Sequence, residues 1–392
     1  MFNIDLDFVI LNMLLLLTFA IAGTLVNRGY SYSKCSLVCV LAFSVIEGAR
    51  YMRGNDYAHY LDVYNYDLED GQKLYTWFCD LLKYFGVPDY MSFFFYALIF
   101  STCLFIFLYR YKRGAQLFFP LALVALLFFH EFMIRQELSY AFVLLFLSSL
   151  FSMSSEIHIL KHQLRFELCR NYFMKLALCI MFAVCALSIH TGNLFIILVL
   201  TILYCFRVEA FDWKISVPIL IFAIYVFPSL MDLTGLEPIL NIVFSGSDKL
   251  SSYTGNFDFW FGQEAMDDVY TRNPIVMVYE LLGHFSLIYL FCRINSQIAF
   301  SLPMKTMYNG YVIGIIILNA FRNLEILNRI GYVFYILWFI PLSGVLLLSR
   351  RVRLHKWERF LFIFLTFFAY DYLKYIFMNN EMTLFLWDAD LL

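Results

Sequence analysis

The residue types best suited to chemistry are concentrated in residues 50–64, directly after an apolar segment near the N-terminus. This stretch contains two arginines, two aspartates, one histidine and four tyrosines. The guanidinium groups of Arg50 and Arg53 are always charged and can form paired hydrogen bonds to phosphate oxygens. So dense a group of ionisable and aromatic residues beside an apolar segment resembles a site for an anionic, sugar-bearing lipid.

Asp56 is the candidate for a base that takes a proton from a hydroxyl group, since it lies within a few residues of both arginines. The same carboxylate also suits a turn, because Gly54-Asn55-Asp56 is a favourable turn sequence. Tyr57 and Tyr60 can stack on the faces of sugar rings, or they can anchor the chain at a membrane interface, where tyrosine is common. The sequence leaves both pairs of alternatives open.

Three more arginines stand at the ends of apolar segments, where a charge is costly unless it is paired or functional. They are Arg135, Arg322 and Arg329. Together with the two arginines above, they predict a cradle for pyrophosphate on one face of the protein. The alternative is a set of simple ion pairs at helix ends. Glu131 precedes Arg135 by four residues, and Glu325 lies one helical turn from each of the other two arginines.

His190 closes an apolar segment in the sequence Ile-His-Thr-Gly. It is the second candidate for the base, or for a hydrogen-bond partner of the reacting hydroxyl group. A histidine in this place can equally be a simple donor at the membrane interface. His130 and His59 are weaker candidates of the same type.

Composition places these residues in an integral membrane protein. Hydrophobic residues make up 62% of the 392 residues, charged residues make up 15%, and the mean hydropathy is +0.73. Soluble domains contain roughly 25% charged residues. The nine cysteines fall mostly in apolar segments and are interpreted as reduced packing residues. The net charge of −2 and the lack of a basic cluster argue against a nucleic-acid partner.

Apolar runs that can cross a bilayer recur along the chain and predict about twelve spans. Their approximate ranges are 8–26, 35–49, 91–109, 116–131, 134–152, 173–189, 193–206, 215–230, 274–291, 307–321, 331–348 and 359–378. Lys and Arg are concentrated in alternate gaps between these spans, which the positive-inside rule assigns to the cytoplasm. Both termini and the acidic gaps then face outward.

The predicted fold class is all-α, with residues 1–392 forming one polytopic transmembrane helical bundle. Two long loops, 50–90 and 231–273, lie on the outward side. Apolar residues in the first loop recur at the spacing of one helix face: Leu74, Phe78, Leu81, Leu82 and Phe85. This spacing predicts a short amphipathic helix in the outer interface. Such a helix either roofs an entrance for lipid or merely seals the top of the bundle.

Several well-known catalytic and nucleotide-binding motifs are missing from the sequence. It contains no P-loop, no G-x-G-x-x-G that opens a helix, no G-x-S-x-G elbow and no His-Glu-x-x-His. No spacing of Cys and His suggests a zinc site. A nucleotide-driven pump and a zinc protease are therefore disfavoured, and we predict neither a cofactor nor a metal.

The order of the motifs resembles that of the EpsG family of Wzy-type polysaccharide polymerases. The run Arg53-Gly-Asn-Asp56-Tyr57-Ala-His-Tyr60 matches the Arg-x-x-Asp-Tyr-x-x-Tyr pattern that follows an early span in that family. The later matches are, in order, Glu69-Asp-Gly71, Ile134-Arg135-Gln136, Ile189-His190 and Asn328-Arg329-Ile-Gly-Tyr332. The resemblance covers about residues 40 to 350, and the last span and the tail match nothing in the pattern.

The resemblance implies a GT-C-like membrane glycosyltransferase. Such an enzyme moves a growing glycan from undecaprenyl pyrophosphate to the sugar of an incoming lipid-linked repeat unit on the outer leaflet. Asp56 or His190 is then the catalytic residue. The residues expected to bind the pyrophosphate and the sugars within the matched motifs are Arg53, Tyr57, Tyr60, Arg135, Gln136 and Arg329. Arg50 and Arg322 are added to this set because they stand at the ends of apolar segments.

The resemblance also implies a location and a set of partners. The protein is expected in the bacterial inner membrane, with its site facing the periplasm or the outside. Its partners are the two lipid-linked glycans, the surrounding membrane lipids and a chain-length regulator protein. An O-antigen ligase and a flippase or transporter of the lipid-linked unit remain as alternatives. The absence of a sequence repeat and the one-sided distribution of polar residues favour an enzyme over a transporter.

Overall fold

The computed structural model describes residues 6–53, 57–66, 73–160, 166–230, 274–322, 325–378 and 385–386. Within these ranges the chain forms helices and one isolated antiparallel β-bridge, between Arg50 and Phe385. The all-α class is therefore confirmed for the part of the chain that the structure describes. Asp56 and the predicted outward loop 231–273 lie outside the described residues.

The contacts of the chain divide it into two compact units. The first comprises residues 1–201 together with residues 368–392, and the second comprises residues 202–367. The first unit thus combines the N-terminal half of the chain with its C-terminal segment. The interpretation of residues 1–392 as one transmembrane domain stays a prediction.

The first unit is built from long apolar helices with two short helices between the second and the third of them. In chain order the helices are α1 (Leu6–Asn27), α2 (Tyr32–Gly48), α3 (Tyr57–Tyr66), α4 (Lys73–Tyr84), α5 (Ser92–Leu108), α6 (Ala115–Phe132), α7 (Ile134–Leu160), α8 (Phe166–Ile189), the first part of α9 (Leu194–Cys205) and all but the first residue of α17 (Phe367–Met378). Helix α1 packs against α2 and α6, α2 packs against α5, and α7 packs against α5 and α8. A Cβ atom on Gly48 would lie 2.5 Å from Cα of Phe94, so glycine permits the close approach of α2 to α5.

The second unit contains the later helices. They are the end of α9, α10 (Trp213–Tyr225), α11 (Phe227–Leu230), α12 (Pro274–Asn295), α13 (Leu302–Ala320), α14 (Glu325–Tyr335), α15 (Phe339–Leu348), α16 (Lys356–Phe360) and the start of α17 (Phe367–Met378). Asn309 of α13 fixes the chain just before α10. Its Nδ2 donates a hydrogen bond to the Glu209 carbonyl at 2.8 Å, and its Oδ1 accepts one from the Phe211 amide at 2.8 Å.

Seven helical stretches in the described ranges are long and apolar enough to cross a membrane. They are Leu6–Asn27, Asp89–Leu127, Ile134–Met153, Tyr172–Ile189, Pro274–Asn295, Leu327–Arg351 and Lys356–Phe377. Two further apolar helices, Thr191–Cys205 and Trp213–Tyr225, are shorter. Each predicted span falls on one helix or on consecutive helical segments, which confirms a helical fold of the membrane type. The number of twelve crossings and the GT-C-like arrangement stay predictions.

The segment that follows Asp56 is a helix, α3, which the sequence does not predict within the loop 50–90. Helix α3 forms there because Tyr57, Tyr60 and Tyr64 recur at helical spacing and bury their rings on one side. They pack in one cluster with side chains of α4, α5, α7 and α8. The tyrosine-rich run therefore supplies core contacts as well as polar groups.

Helix α4 forms in the loop where the sequence predicts a helix, and its buried face overlaps the predicted stripe only in part, at Leu82 and at the partly buried Leu74 and Phe78. The buried residues are Tyr75, Cys79 and Leu82, whereas Phe85 is 70% exposed. The physical reason is the hydroxyl group of Tyr75, which lies 3.3 Å from the hydroxyl group of Tyr96. A buried tyrosine with such a partner packs as an aromatic residue without leaving its polar end unsatisfied.

Alkaline pH should loosen the contact between α3 and the loop after α4. The Tyr64 hydroxyl donates a hydrogen bond to the Val87 carbonyl at 2.7 Å. Burial raises the pKa of Tyr64 to about 12, because the phenolate would lose solvation. Since the folded pKa lies above the ordinary value near 10, the stabilising contribution is complete below pH ~10 and disappears as the pH rises from ~10 to ~12.

The measurement is unfolding as a function of pH, followed by circular dichroism and tyrosinate absorbance. Tyr64→Phe removes the ionisable group and should shift the alkaline midpoint to higher pH. Tyr66→Phe is the matched control, since Tyr66 lies on the same helix and is 72% exposed. Equal alkaline midpoints for the two variants would contradict the prediction.

Candidate functional site

Arg50 lies in the turn that follows α2, and its side chain is fully buried. Its Nη1 donates a hydrogen bond to the backbone oxygen of His130 at 3.1 Å. Its guanidinium carbon lies over the ring of Phe93, 5.1 Å from the centroid. Arg50 therefore connects the end of α2 to α5 and α6 through a cation–π contact and a charge-assisted hydrogen bond.

Arg53 is buried in a second set of contacts, with 2% of its side chain exposed. Its Nη2 lies 3.1 Å from Oε2 of Glu47, which is fully buried in α2. Its guanidinium carbon also lies over two aromatic rings, 4.9 Å from the centroid of Phe8 and 5.0 Å from that of Phe385. These contacts join α1, α2 and the C-terminal segment around one cation.

His130 and Glu137 form a buried polar pair at the break between α6 and α7. His130 Nδ1 lies 2.8 Å from Oε1 of Glu137, and neither side chain is exposed. The imidazole ring packs edge-on against Phe43, with centroids 4.9 Å apart. This pair fixes the angle at which α7 leaves α6.

These side chains form one network, which we call the buried charge cluster. Its members are Glu47, Arg50, Arg53, His130 and Glu137. Glu47 and Arg50 both act electrostatically on Glu137, so the two ion pairs are neighbours. The cluster thus contains two guanidinium groups and two carboxyl groups, and Arg53 is paired directly with Glu47.

Only part of the buried charge cluster is predicted from the sequence. Arg50 and Arg53 are predicted site residues and His130 is a weaker candidate, whereas the carboxylates of Glu47 and Glu137 are not predicted. A usable signal was present, because an acidic residue inside an apolar segment is costly unless it has a partner. Glu47 falls within the predicted span 35–49, and Glu137 falls within the span 134–152.

Tyr57 and Tyr60 turn their rings towards the core. The Tyr57 hydroxyl donates a hydrogen bond to the Arg50 carbonyl at 3.2 Å, and its ring stacks on Phe93 with centroids 4.1 Å apart. Tyr60 is 5% exposed and packs edge-on against Tyr75. Burial also raises the pKa of Tyr57 above its ordinary range, so the phenol keeps its proton. The predicted contact of these tyrosines with sugar stays a prediction.

Arg135 and Gln136 lie in the first turn of α7, immediately before Glu137. Arg135 is half-buried and Gln136 is 7% exposed. Arg135 is thus more accessible than Arg50. Its contact with pyrophosphate stays a prediction. The alternative ion pair with Glu131 cannot be compared, because that side chain lies outside the described part of the chain.

His190 caps the short 3₁₀ helix Thr191–Asn193 that follows α8. Its Nδ1 accepts a hydrogen bond from the Gly192 amide at 3.1 Å. In the neutral ring the proton therefore belongs on Nε2, by assignment from this hydrogen bond. Asn193 ties the same turn to α7, since its Nδ2 donates to the Ser139 hydroxyl at 2.7 Å.

The candidate residues of the first unit gather at one end of its helices. Ile134, Leu138 and Ile189 belong to the same buried cluster as Tyr57 and Tyr60. Their chain neighbours Arg135 and His190 therefore flank the cluster that anchors α3. The structure thus brings together parts of the chain that the sequence separates by about 80 and 130 residues.

Arg322 and Arg329 belong to the second unit. Arg322 is half-buried just after α13, and its carbonyl accepts a hydrogen bond from Asn328 Nδ2 at 3.4 Å. Arg329 is exposed on α14. The side chain of Glu325 lies outside the described part of the chain. The convergence of these arginines on the same site as Arg135 stays a prediction.

Side chains that could hold a metal ion do not cluster within the ranges that the structure describes, since no group of three or more His, Cys, Asp or Glu residues meets there. The chemistry available at the described residues is instead that of guanidinium groups and an imidazole. Guanidinium groups bind and stabilise anionic oxygens, and an imidazole moves protons near neutral pH.

The fold and the site define a helical protein of the membrane type with a buried charge cluster at one end of its first unit. The EpsG family model matches residues 34–386, so the chain belongs to the EpsG family. This confirms the resemblance and corrects its range, because the match includes the last helix and Phe385. No curated protein and no solved structure matches the chain.

Proposed function

We propose that this protein polymerises lipid-linked oligosaccharide repeat units in the bacterial inner membrane. The glycan moves from undecaprenyl pyrophosphate to the sugar of an incoming lipid-linked unit, on the periplasmic or outer side. The observation that carries the proposal is the family match, because residues 34–386 include every candidate residue named above. The proposed partners are the lipid-linked donor and acceptor and a chain-length regulator protein.

The chemical step is a substitution at the anomeric carbon of the donor. The acceptor hydroxyl oxygen forms the new C–O bond, the bond from the anomeric carbon to the phosphate oxygen breaks, and undecaprenyl pyrophosphate leaves with the electron pair. A base accepts the hydroxyl proton. Asp56 is proposed for this role, or His190 once its Nδ1 has given up the hydrogen bond from the Gly192 amide. Arginines stabilise the charge that grows on the leaving group.

The burial of the arginines suggests a division of labour among them. Arg53 is paired with Glu47, and Arg50 contacts the His130 carbonyl and the Phe93 ring, so we assign both arginines to holding the end of α2. Arg135 is half-buried and Arg329 is exposed, and we assign these two to contact with pyrophosphate. Planar guanidinium groups are well matched to two phosphate oxygens at once.

The glycan profile of a deletion strain tests the proposed function. We expect single repeat units on the cell surface and no long ladder, with the ladder restored by the intact gene. Loss of all repeat units from the surface would identify a flippase or transporter instead. Polymers of normal length that stay on the carrier lipid would identify a ligase.

Gly192→Ala tests the role of His190 without removing the imidazole. A Cβ atom on Gly192 would lie 2.6 Å from Cε1 and 2.9 Å from Nδ1 of His190, so the ring must move. We expect the rate of chain extension to fall by about tenfold to a hundredfold, since a displacement of about 1 Å can cost that much. Thermal stability should change little, because the ring lies at the half-exposed helix end.

Thr191→Ala is the matched control for Gly192→Ala. Thr191 lies in the same turn and is exposed, and the variant should extend chains at the wild-type rate. The measurement is the initial rate of ladder formation in membranes supplied with lipid-linked repeat units from the deletion strain. Wild-type rates for Gly192→Ala would remove His190 from the list of candidate bases.

A further inference from the structure

The C-terminal segment reaches the buried charge cluster from the far end of the chain. The Leu386 amide donates a hydrogen bond to the Ala49 carbonyl at 2.8 Å, and Phe385 forms an antiparallel bridge with Arg50. Phe385 is 1% exposed and Leu386 is 4% exposed. The segment is therefore packed as part of the first unit, beside the turn that holds both arginines.

Phe385 contacts Arg53 through its ring, which lies 5.0 Å from the guanidinium carbon. A cation over the face of an aromatic ring is attracted by the ring quadrupole, more strongly when it is desolvated. The hydrogen-bond donors of a guanidinium group all lie in its plane. Rings that cover the face therefore restrict the group to binding edge-on, as Arg53 binds Glu47.

Arg53 and Tyr57 are each held by contacts of their own. Arg53 is held by Glu47 and the two phenylalanine rings. Tyr57 is held by its ring stack and by its hydrogen bond to the Arg50 carbonyl. Asp56, the proposed base, lies in sequence between these two residues. Loosening the contacts of either one is expected to act on the reaction through the residues between them.

We propose that Phe385 is a positioning residue for the reaction: its ring holds Arg53 on Glu47 and thereby fixes one end of the segment 53–57. This inference rests on the proposed function, since Asp56 is the base only if the protein is the proposed transferase. The C-terminal segment is then part of the site although it lies more than 300 residues from Arg53 in sequence.

The test compares Phe385→Ala, Phe385→Tyr and Phe377→Ala in the full chain. Phe377 is the matched control, since it is a phenylalanine on the preceding helix and is 42% exposed. The rate of chain extension is measured in membranes supplied with lipid-linked repeat units from the deletion strain. This rate is divided by the amount of variant protein that is monodisperse after solubilisation. We expect Phe385→Ala to lower kcat by about tenfold with KM unchanged, because the altered group acts on the base and not on binding. Phe385→Tyr should recover most of the rate, and Phe377→Ala should keep all of it.

A double variant shows whether Phe385 acts through Arg53. Arg53→Lys keeps the charge but loses the planar group that stacks and binds edge-on. Adding Phe385→Ala to Arg53→Lys should lower the rate by less than about twofold if the two residues form one unit. A full tenfold further loss in the double variant would overturn the inference, and so would a wild-type kcat for Phe385→Ala.

Failure of the inference and failure of the proposed function give different results. If the deletion strain lacks a ladder but Phe385→Ala is as active as Phe377→Ala, only the positioning role is wrong. If the deletion strain identifies a transporter, the kinetic role of Phe385 is excluded together with the proposed function. Hydrogen exchange then still tests the docking itself. The Leu386 amide should exchange at least about tenfold more slowly in the wild type than in Phe385→Ala, and equal exchange would show that the ring does not hold the segment.

Discussion

Glu47→Ala is expected to lower the free energy of unfolding by about 3–5 kcal/mol, because it leaves the Arg53 guanidinium buried without its carboxylate. Arg53 is 2% exposed and Glu47 is not exposed at all, so water cannot replace the lost partner without opening the end of α2. The contacts with Phe8 and Phe385 remain, but their attraction is about 0.5–2 kcal/mol each and does not offset a buried charge.

The measurement is reversible unfolding in mixed detergent micelles at neutral pH. Glu209→Ala is the control, because Glu209 forms an ion pair with Lys305 but is 77% exposed. Exposed ion pairs contribute at most about 1 kcal/mol to stability. Glu47→Leu combined with Arg53→Met removes both charges and should recover most of the lost stability. Equal losses for Glu47→Ala and Glu209→Ala would show that Glu47 is not the counter-charge of Arg53.

Arg135→Ala is expected to lower chain extension by at least about a hundredfold while the protein still inserts and folds. Removing one preorganised donor from a site of developing negative charge typically costs two to three orders of magnitude in rate. Arg135 lies in the first turn of α7, where the helix dipole also favours an anion. Arg135 is half-buried, whereas Glu47 and Arg53 are almost completely buried, so its removal is expected to disturb the fold less than Glu47→Ala does.

Arg329→Ala in the second unit should give a loss of similar size, since Arg329 is exposed on α14 and is assigned the same chemistry. Arg351→Ala is the control, as this arginine is exposed at the predicted cytoplasmic side. Arg135→Lys should recover only part of the rate, because an ammonium group lacks the paired donors. Full-length ladders from both alanine variants would mean that neither arginine meets the pyrophosphate.

The helices of this protein were predictable from sequence because apolar runs are long and their ends are marked by charge. Each predicted span falls on one helix or on consecutive helical segments. Helix α3 was missed because tyrosine serves equally at a membrane interface and in a core, and only the packing decides between them. The buried face of α4 was predicted only in part for the same reason, since hydrophobicity alone ranks Leu74 above Tyr75.

The candidate site was predictable only where the chemistry is local in sequence. Arg50, Arg53 and Asp56 occur in one run, and the family pattern identifies Arg135 and His190. The contact of Phe385 with Arg53 had no local signal, because a phenylalanine near the end of an aromatic-rich chain is unremarkable by type and spacing. Such pairings depend on the topology that brings α1, α2 and α17 together.

The packing of α17 against α1 also determines when the site is completed during protein synthesis. The Tyr372 hydroxyl donates a hydrogen bond to the Asn12 carbonyl at 3.2 Å, and Tyr375 packs edge-on against Phe8. Phe8, Glu47 and Arg53 leave the ribosome early, whereas Phe385 emerges only after the second unit has been made. A nascent chain must therefore hold the Arg53–Glu47 pair in the membrane before the last ring arrives. The Arg53 cation thus receives a contact from a residue that is synthesised more than 300 residues later.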